Sequence, residues 1–145
     1  MRGYSCIGLQ NPKTPANVGH IMRAAGCYGV SSVFFTGNRY TKAKQFITDP
    51  QKNYRHIPLV NVDDLQPVIP YDCVPVAIEF FKDAESLIDY KHPERAFYVF
   101  GPEDGTLGEK TLGWCRDIIC IPSNFCMNLS ATVNVVLYDR LAKEK

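Results

Sequence analysis

Two stretches decide how this chain is read: Ala96-Phe97-Tyr98-Val99-Phe100-Gly101-Pro102-Glu103-Asp104-Gly105 and Ile118-Ile119-Cys120-Ile121-Pro122-Ser123-Asn124-Phe125-Cys126. Each is an apolar, β-branched and aromatic run that breaks abruptly into a small polar loop. The second loop opens a helix at Met127-Asn128-Leu129-Ser130. In an open α/β sheet, ligands bind in the crevice outside the carboxyl ends of the strands. Two strand ends of this kind therefore predict a ligand crevice in the last third of the chain.

Working outward, the pattern predicts strands over residues 4–9, 30–36, 56–60, 74–80, 96–100 and 118–121. Between them it predicts helices. Asn17 is the expected N-cap of a helix running to about Tyr28, closed by Gly26 or Gly29. A short helix starts near Thr41, another covers 62–68 with its cap near Asn61 to Asp63, and others cover 108–114 and 128–143. Residues 86–90 read as weakly helical or irregular. Strands alternate with helices, and the strands lack a clean polar alternation, as parallel strands covered on both faces do. The expected fold class is α/β, a mostly parallel sheet with helices on both faces.

The chain has 145 residues, 46% hydrophobic and 21% charged, which predicts one domain spanning 1–145 with a core of its own. The formal net charge is +1, so any surface for nucleic acid is local rather than global. Six cysteines occur without a C-x-x-C pair and without a histidine at finger spacing, so they read as reduced small hydrophobes rather than zinc ligands or disulfides. No apolar run is long enough to span a bilayer, and Met1-Arg2-Gly3-Tyr4-Ser5 lacks the apolar core of a secretion signal. The expectation is a soluble, cytoplasmic protein with no metal.

Three constellations can carry chemistry. Asn17-Val18-Gly19-His20-Ile21-Met22-Arg23 places an amide and a guanidinium about two turns apart on one helix, where Arg23 could equally be solvated. Gly101-Pro102-Glu103-Asp104-Gly105 allows close approach of a ligand to the backbone and offers a carboxylate, or is a plain strand-to-helix turn. It is not the G-x-G-x-x-G dinucleotide fingerprint. Cys126-Met127-Asn128-Leu129-Ser130 either caps a helix or turns backbone N–H groups toward a ligand.

In order and spacing, these segments resemble the three signature motifs of the SpoU/TrmH-class SPOUT RNA methyltransferases. Asn17, Gly19 and Arg23 match the first; Gly101, Pro102, Glu103 and Gly105, with Leu107 after them, match the second. Ile121, Pro122, Cys126, Met127, Asn128, Leu129, Ser130, Leu137, Tyr138 and Asp139 follow the third. The chain is similar to the minimal branch, whose TrmL-like members consist of the catalytic domain alone and methylate the tRNA wobble ribose. It departs from the pattern in four places. Glycine follows Glu103 after one residue where the family often has two, Cys126 replaces a common serine, and Asp139 replaces a glutamate. The loop before Cys126 is also shorter than in the wobble enzyme.

The resemblance implies a deep C-terminal trefoil knot, S-adenosylmethionine as cofactor, and a homodimer in which two subunits form the active site. It implies that Gly101, Ile121, Cys126, Met127 and Ser130 bind the cofactor, with Glu79 as a further contact. It assigns Arg23 to the ribose hydroxyl, with Asn17, Glu103 and Asn128 orienting it, and brings Tyr138 to the site from the last helix. For RNA, the best basic patch is Arg39, Lys42, Lys44, Lys52, Arg55 and His56, with Tyr40 and Tyr54 among them, unless it is an ordinary solvated loop. The expected activity is ribose 2′-O-methylation of tRNA. An rRNA methyltransferase of the same family and a non-catalytic module binding RNA or an adenosine ligand are the alternatives. A small nucleotide- or flavin-binding protein is disfavoured by the missing Gly-rich phosphate loop.

Overall fold

The computed structural model describes residues 3–44, 56–81 and 83–144. Strands β1 (Tyr4–Leu9), β2 (Ser32–Phe35), β3 (Leu59–Asn61), β4 (Val74–Ile78), β5 (Glu85–Ser86), β6 (Arg95–Phe100) and β7 (Asp117–Cys120) form one sheet in the order β3-β2-β1-β6-β4-β7-β5. Every pairing in it is parallel. Helices α1 (Pro15–Tyr28), α2 (Arg39–Lys44), α3 (Gly108–Trp114) and α4 (Leu129–Ala142) connect or follow the strands. The order carries two insertions: β6 enters between β1 and β4, and β7 enters between β4 and β5. The loops after β4, β6 and β7 thereby converge at one end of the sheet.

The absence of polar alternation has a direct cause. Along β6, Ala96, Tyr98 and Phe100 join the larger buried cluster with Ile21, Met22, Val133 and Val136, while Phe97 and Val99 join Cys6, Leu65, Ala77 and Leu107 on the other face. Both faces of the central strands are therefore covered. Gly8 allows this packing, because a Cβ there would stand 2.6 Å from the Phe97 ring.

Several boundaries differ from expectation. Helix α1 begins at Pro15 with Thr14 at its N-cap, so Asn17 lies inside the first turn and is not the cap. Proline at the first helical position fixes φ without losing a needed donor. Gly29, at φ 72°, ends α1 with its N–H on Ala25 O. The expected strand at 56–60 forms only at Leu59–Asn61, and the expected helix at 62–68 shrinks to a 3₁₀ turn at Gln66–Val68. Residues 85–89 make a two-residue strand and a 3₁₀ turn, where the Ile88 N–H donates to Ser86 Oγ. Strand β7 sits one residue earlier than expected, at Asp117–Cys120. Asn128 caps α4, one of the two roles open to it from the sequence, accepting from the Ala131 N–H. Cys6 and Cys73 are buried, but Cys27 and Cys126 are exposed, so the reading of all six as small hydrophobes holds only in part. No helix is long and apolar enough to cross a membrane among the described residues.

Helix α4 packs against α1 and buries Leu129, Val133, Val136, Leu137 and Arg140 at helical spacing. Buried Arg140 donates to Pro93 O at 2.7 Å, Glu94 O at 2.7 Å and Tyr98 Oη at 2.9 Å. Tyr98 Oη also lies 2.7 Å from His92 Nδ1, and His92 Nε2 lies 2.7 Å from Asp139. Burial lowers the His92 pKa against the pull of Asp139, which keeps the ring neutral. Neutral His92 then accepts from Tyr98 at Nδ1 and donates to Asp139 from Nε2. Burial pushes the Tyr98 hydroxyl up to about 12, opposed by Arg140. This network ties the end of α4 to the start of β6. Replacing Arg140 by methionine strands two carbonyls and is expected to lower unfolding stability by about 3 kcal/mol in urea titrations.

Candidate active site

A cleft of about 460 Å³ opens where the chain leaves β4, β6 and β7. Ile78, Glu79 and Phe80 line it from β4, Phe100 to Glu103 and Gly105 from β6, and Cys120, Ile121 and Ser123 from β7. Cys126, Met127, Asn128, Leu129 and Thr132 close it from the start of α4, and Thr14 and Asn17 from the start of α1. Its volume suits a single small ligand or cofactor. The described lining residues include two carboxylates, Glu79 and Glu103, and no lysine, arginine or histidine.

One hydrogen-bonded chain unites the three motifs. Glu103 Oε1 accepts from the Lys13 N–H at 2.9 Å, and Oε2 accepts from the Thr14 N–H at 2.9 Å and from Asn17 Nδ2 at 3.1 Å. Asn17 Oδ1 accepts from Asn128 Nδ2 at 3.1 Å, and Asn128 Oδ1 accepts from Ser130 Oγ at 2.6 Å and the Ala131 N–H at 3.2 Å. Partial burial pushes the Glu103 carboxyl up, but Asn17 and the Thr14 and Lys13 N–H groups outweigh it and hold the pKa below its ordinary value. The ionised carboxylate also sits at the positive end of the α1 dipole.

The other carboxylate supports the wall. Glu79 Oε2 accepts from the Leu107 N–H at 2.9 Å. Gln10 donates to Leu107 O at 2.9 Å and accepts from Thr111 Oγ1 at 2.6 Å, so β1, the β6 loop and α3 are joined. Gly101 favours close approach, because a Cβ there would meet the Leu107 N at 3.3 Å, a tight contact.

Of the expected residues, Asn17, Glu79, Gly101, Glu103, Ile121, Cys126, Met127 and Asn128 line the cleft. Ser130 does not; it is buried beneath the lining, with Oγ on Asn128 and Asn17. Arg23 is exposed on α1 and lies outside the lining. Six residues carry it about 9 Å along the axis from Asn17 and about 120° around it. Tyr138 is 60% exposed, two to three turns along α4 from Asn128.

The expected basic patch is only partly assembled. Arg39 forms a bidentate pair with Asp104, at 2.8 and 3.0 Å, and donates to Asn11 O at 2.6 Å. Tyr40 is buried edge-on against Phe35, with ring centroids 5.2 Å apart, and presents no face for stacking. Lys42 and His56 are exposed. Lys52, Tyr54, Arg55 and the Lys44 side chain lie outside the described residues.

Sequence reasoning missed Gln10, Thr14, Phe80 and Thr132. Thr132 is one turn past Asn128 and could have been found from helix spacing. Gln10 bonds residues about a hundred positions away, and nothing local signals that.

Glutamine at position 103 keeps the shape but removes the charge from these bonds. We expect Glu103→Gln to lose about 1–2 kcal/mol of stability at pH 7. A depressed folded pKa gives stability that is fully present above the unfolded value, about 4.3 for Glu, and is lost as pH falls through the folded value. The gap between wild type and Glu103→Gln in urea titrations should therefore be constant from pH 6 to 8 and shrink toward pH 3.5.

A comparison with curated protein sequences returns no match. Among solved structures, the chain is similar to the SpoU methyltransferase AviRb from Streptomyces viridochromogenes, solved with AdoMet. The TM-score is 0.80 at 16% identity, covering 99% of this chain and 59% of AviRb. It is also similar to a protein studied for the 2-OH methylation of C/U34 on tRNA, with a TM-score of 0.80, 21% identity, and 98% and 97% of the two chains covered. The A. aeolicus TrmH/SpoU tRNA modifying enzyme gives a TM-score of 0.79 at 15% identity, covering 99% of this chain and 76% of that one. The chain thus spans well under two thirds of AviRb, while these likenesses share its fold. The model of the SpoU rRNA Methylase family matches residues 5–138, and with all three motif segments meeting in one cleft, the chain belongs to that family.

Proposed function

We propose that this protein is an S-adenosylmethionine-dependent RNA methyltransferase that acts on a ribose 2′-hydroxyl, with tRNA as substrate and the anticodon wobble position as the favoured site. The observation that carries the reading is the charge of the cleft. Two carboxylates and no cation among the described lining residues oppose a phosphorylated ligand and suit one bearing a sulfonium and an ammonium group. The backbone-rich walls at Gly101, Ile121 and Met127 and the apolar Ile78, Phe100 and Leu129 suit an adenosine. The cofactor, when bound, supplies an electrophilic methyl group. The tRNA preference draws on the similar protein of nearly equal length studied for methylation of C/U34 on tRNA.

The chain's own residues hold and orient. Glu103 and Asn128 fix Asn17 between them, and Glu79 holds the Leu107 backbone that forms the wall. The products of the reaction are the 2′-O-methyl ribose, S-adenosylhomocysteine and one proton. A guanidinium is a poor conventional base, so the role assigned to Arg23 is to lower the cost of the negative charge developing on the attacking oxygen. Because Arg23 lies on the outer side of α1, away from its own cleft, we assign it to the cleft of a second copy, in a homodimer joined through α1 and α4. The same reading includes a knotted C-terminal segment, a single domain over 1–145 and a cytoplasmic location.

Labelled S-adenosylmethionine incubated with separated tRNA and rRNA tests this. Label is expected in tRNA, in a dinucleotide that resists alkali, and Arg23→Ala should reduce its rate by about 10²-fold or more while cofactor binding persists. Label confined to rRNA would replace the substrate assignment, and no label in either RNA would overturn the activity. Light scattering at micromolar concentration is expected to give the mass of a dimer; a monomer contradicts the assignment of Arg23.

A further inference from the structure

Exposed phenyl rings occur in the two segments that leave β4 and β7 beside the cleft. Phe80 and Phe81 follow β4 and are 64% and 41% exposed, and Phe125, after β7, is 83% exposed. The two segments leave the sheet side by side, since β4 pairs with β7 and the Glu79 N–H donates to Ile119 O at 3.0 Å. Phe80 lines the cleft itself, and Ser123 and Cys126 line it on either side of Phe125. Ser123 Oγ donates to Phe125 O at 2.8 Å, which closes the turn and leaves the ring outside. Exposed rings beside a cleft add little to the core and are available for contact with a ligand.

The chemistry of the lip selects its occupant. Residues 121–127 carry no charge, so a phosphate finds no cation there, whereas a flat neutral base finds an aromatic face. Single-stranded RNA presents nucleotides whose bases can be splayed from their neighbours and stacked on aromatic side chains. We propose that Phe125, with Phe80, is the stacking platform for the unpaired base at or beside the methylated nucleotide. The inference rests on the methyltransferase reading above.

A single-stranded RNA decamer containing 2-aminopurine tests it, with methyl transfer by the wild type measured in parallel. Wild type is expected to quench the probe, Phe125→Ala to weaken binding about tenfold and remove the quench, and Phe125→Trp to restore both. Affinity for S-adenosylmethionine and thermal stability should not change in Phe125→Ala, because the ring is exposed. Undiminished binding and quench in Phe125→Ala would overturn the platform. So would a fall in its cofactor affinity or its dissociation to monomers, which would place the ring in the cofactor pocket or a subunit contact. Quenching without methyl transfer to any RNA sinks the enzyme reading and leaves the platform standing; transfer with an unaltered Phe125→Ala does the reverse.

Discussion

The structure turns on the carboxylate of Glu103. It gathers two backbone N–H groups at the entrance to α1 and the side chain of Asn17 from the helix itself. Asn17 then binds Asn128, 111 residues later, and Asn128 caps α4. A single ionised group thus fixes the starts of two helices and the loop between β6 and α3 relative to one another. Without it, the Asn17 amide and the N–H groups of Lys13 and Thr14 would lack their acceptor in a partly buried place, where an unmade hydrogen bond is costly.

The sheet explains why such a relay can exist. All seven strands are parallel, so the loops following β1, β4, β6 and β7 emerge at the same end. Two late insertions, β6 beside β1 and β7 beside β4, bring segments distant in sequence to that end. Helix α4 is pinned twice: at its start by the Asn128 cap, and near its end by Arg140 on the carbonyls preceding β6. The cleft therefore has walls fixed by strand pairing and a roof fixed by a helix held at both ends. That rigidity suits a site where a methyl group and an oxygen must be brought into line.

Local rules made much of this legible. Strand 4–9 and helix 108–114 form where the pattern places them, since each is bounded by glycine or turn residues. The parallel sheet was readable from the missing alternation, which the two-sided burial of β6 explains. Asn17 shows where local reading stops. Asparagine is among the best N-caps, but Pro15 starts the helix earlier, and a carboxylate from residue 103 takes the amide. Arg39 and Tyr40 likewise read as RNA contacts by composition, yet one pairs with Asp104 and the other packs on Phe35. The strand order, the Gln10 links and the Arg140 network depend on contacts far apart in sequence, for which no window of residues carries a signal.

The most direct measurement of the central claim, that the cleft joined by Glu103 is a site for a cationic adenosine cofactor, is a calorimetric titration of the purified protein. The titrants are S-adenosylmethionine, ATP and flavin mononucleotide. The account predicts saturable binding of S-adenosylmethionine and no heat from the two phosphorylated ligands, because the described cleft residues offer carboxylates and no cation. Binding of ATP or flavin mononucleotide with no response to S-adenosylmethionine would contradict it.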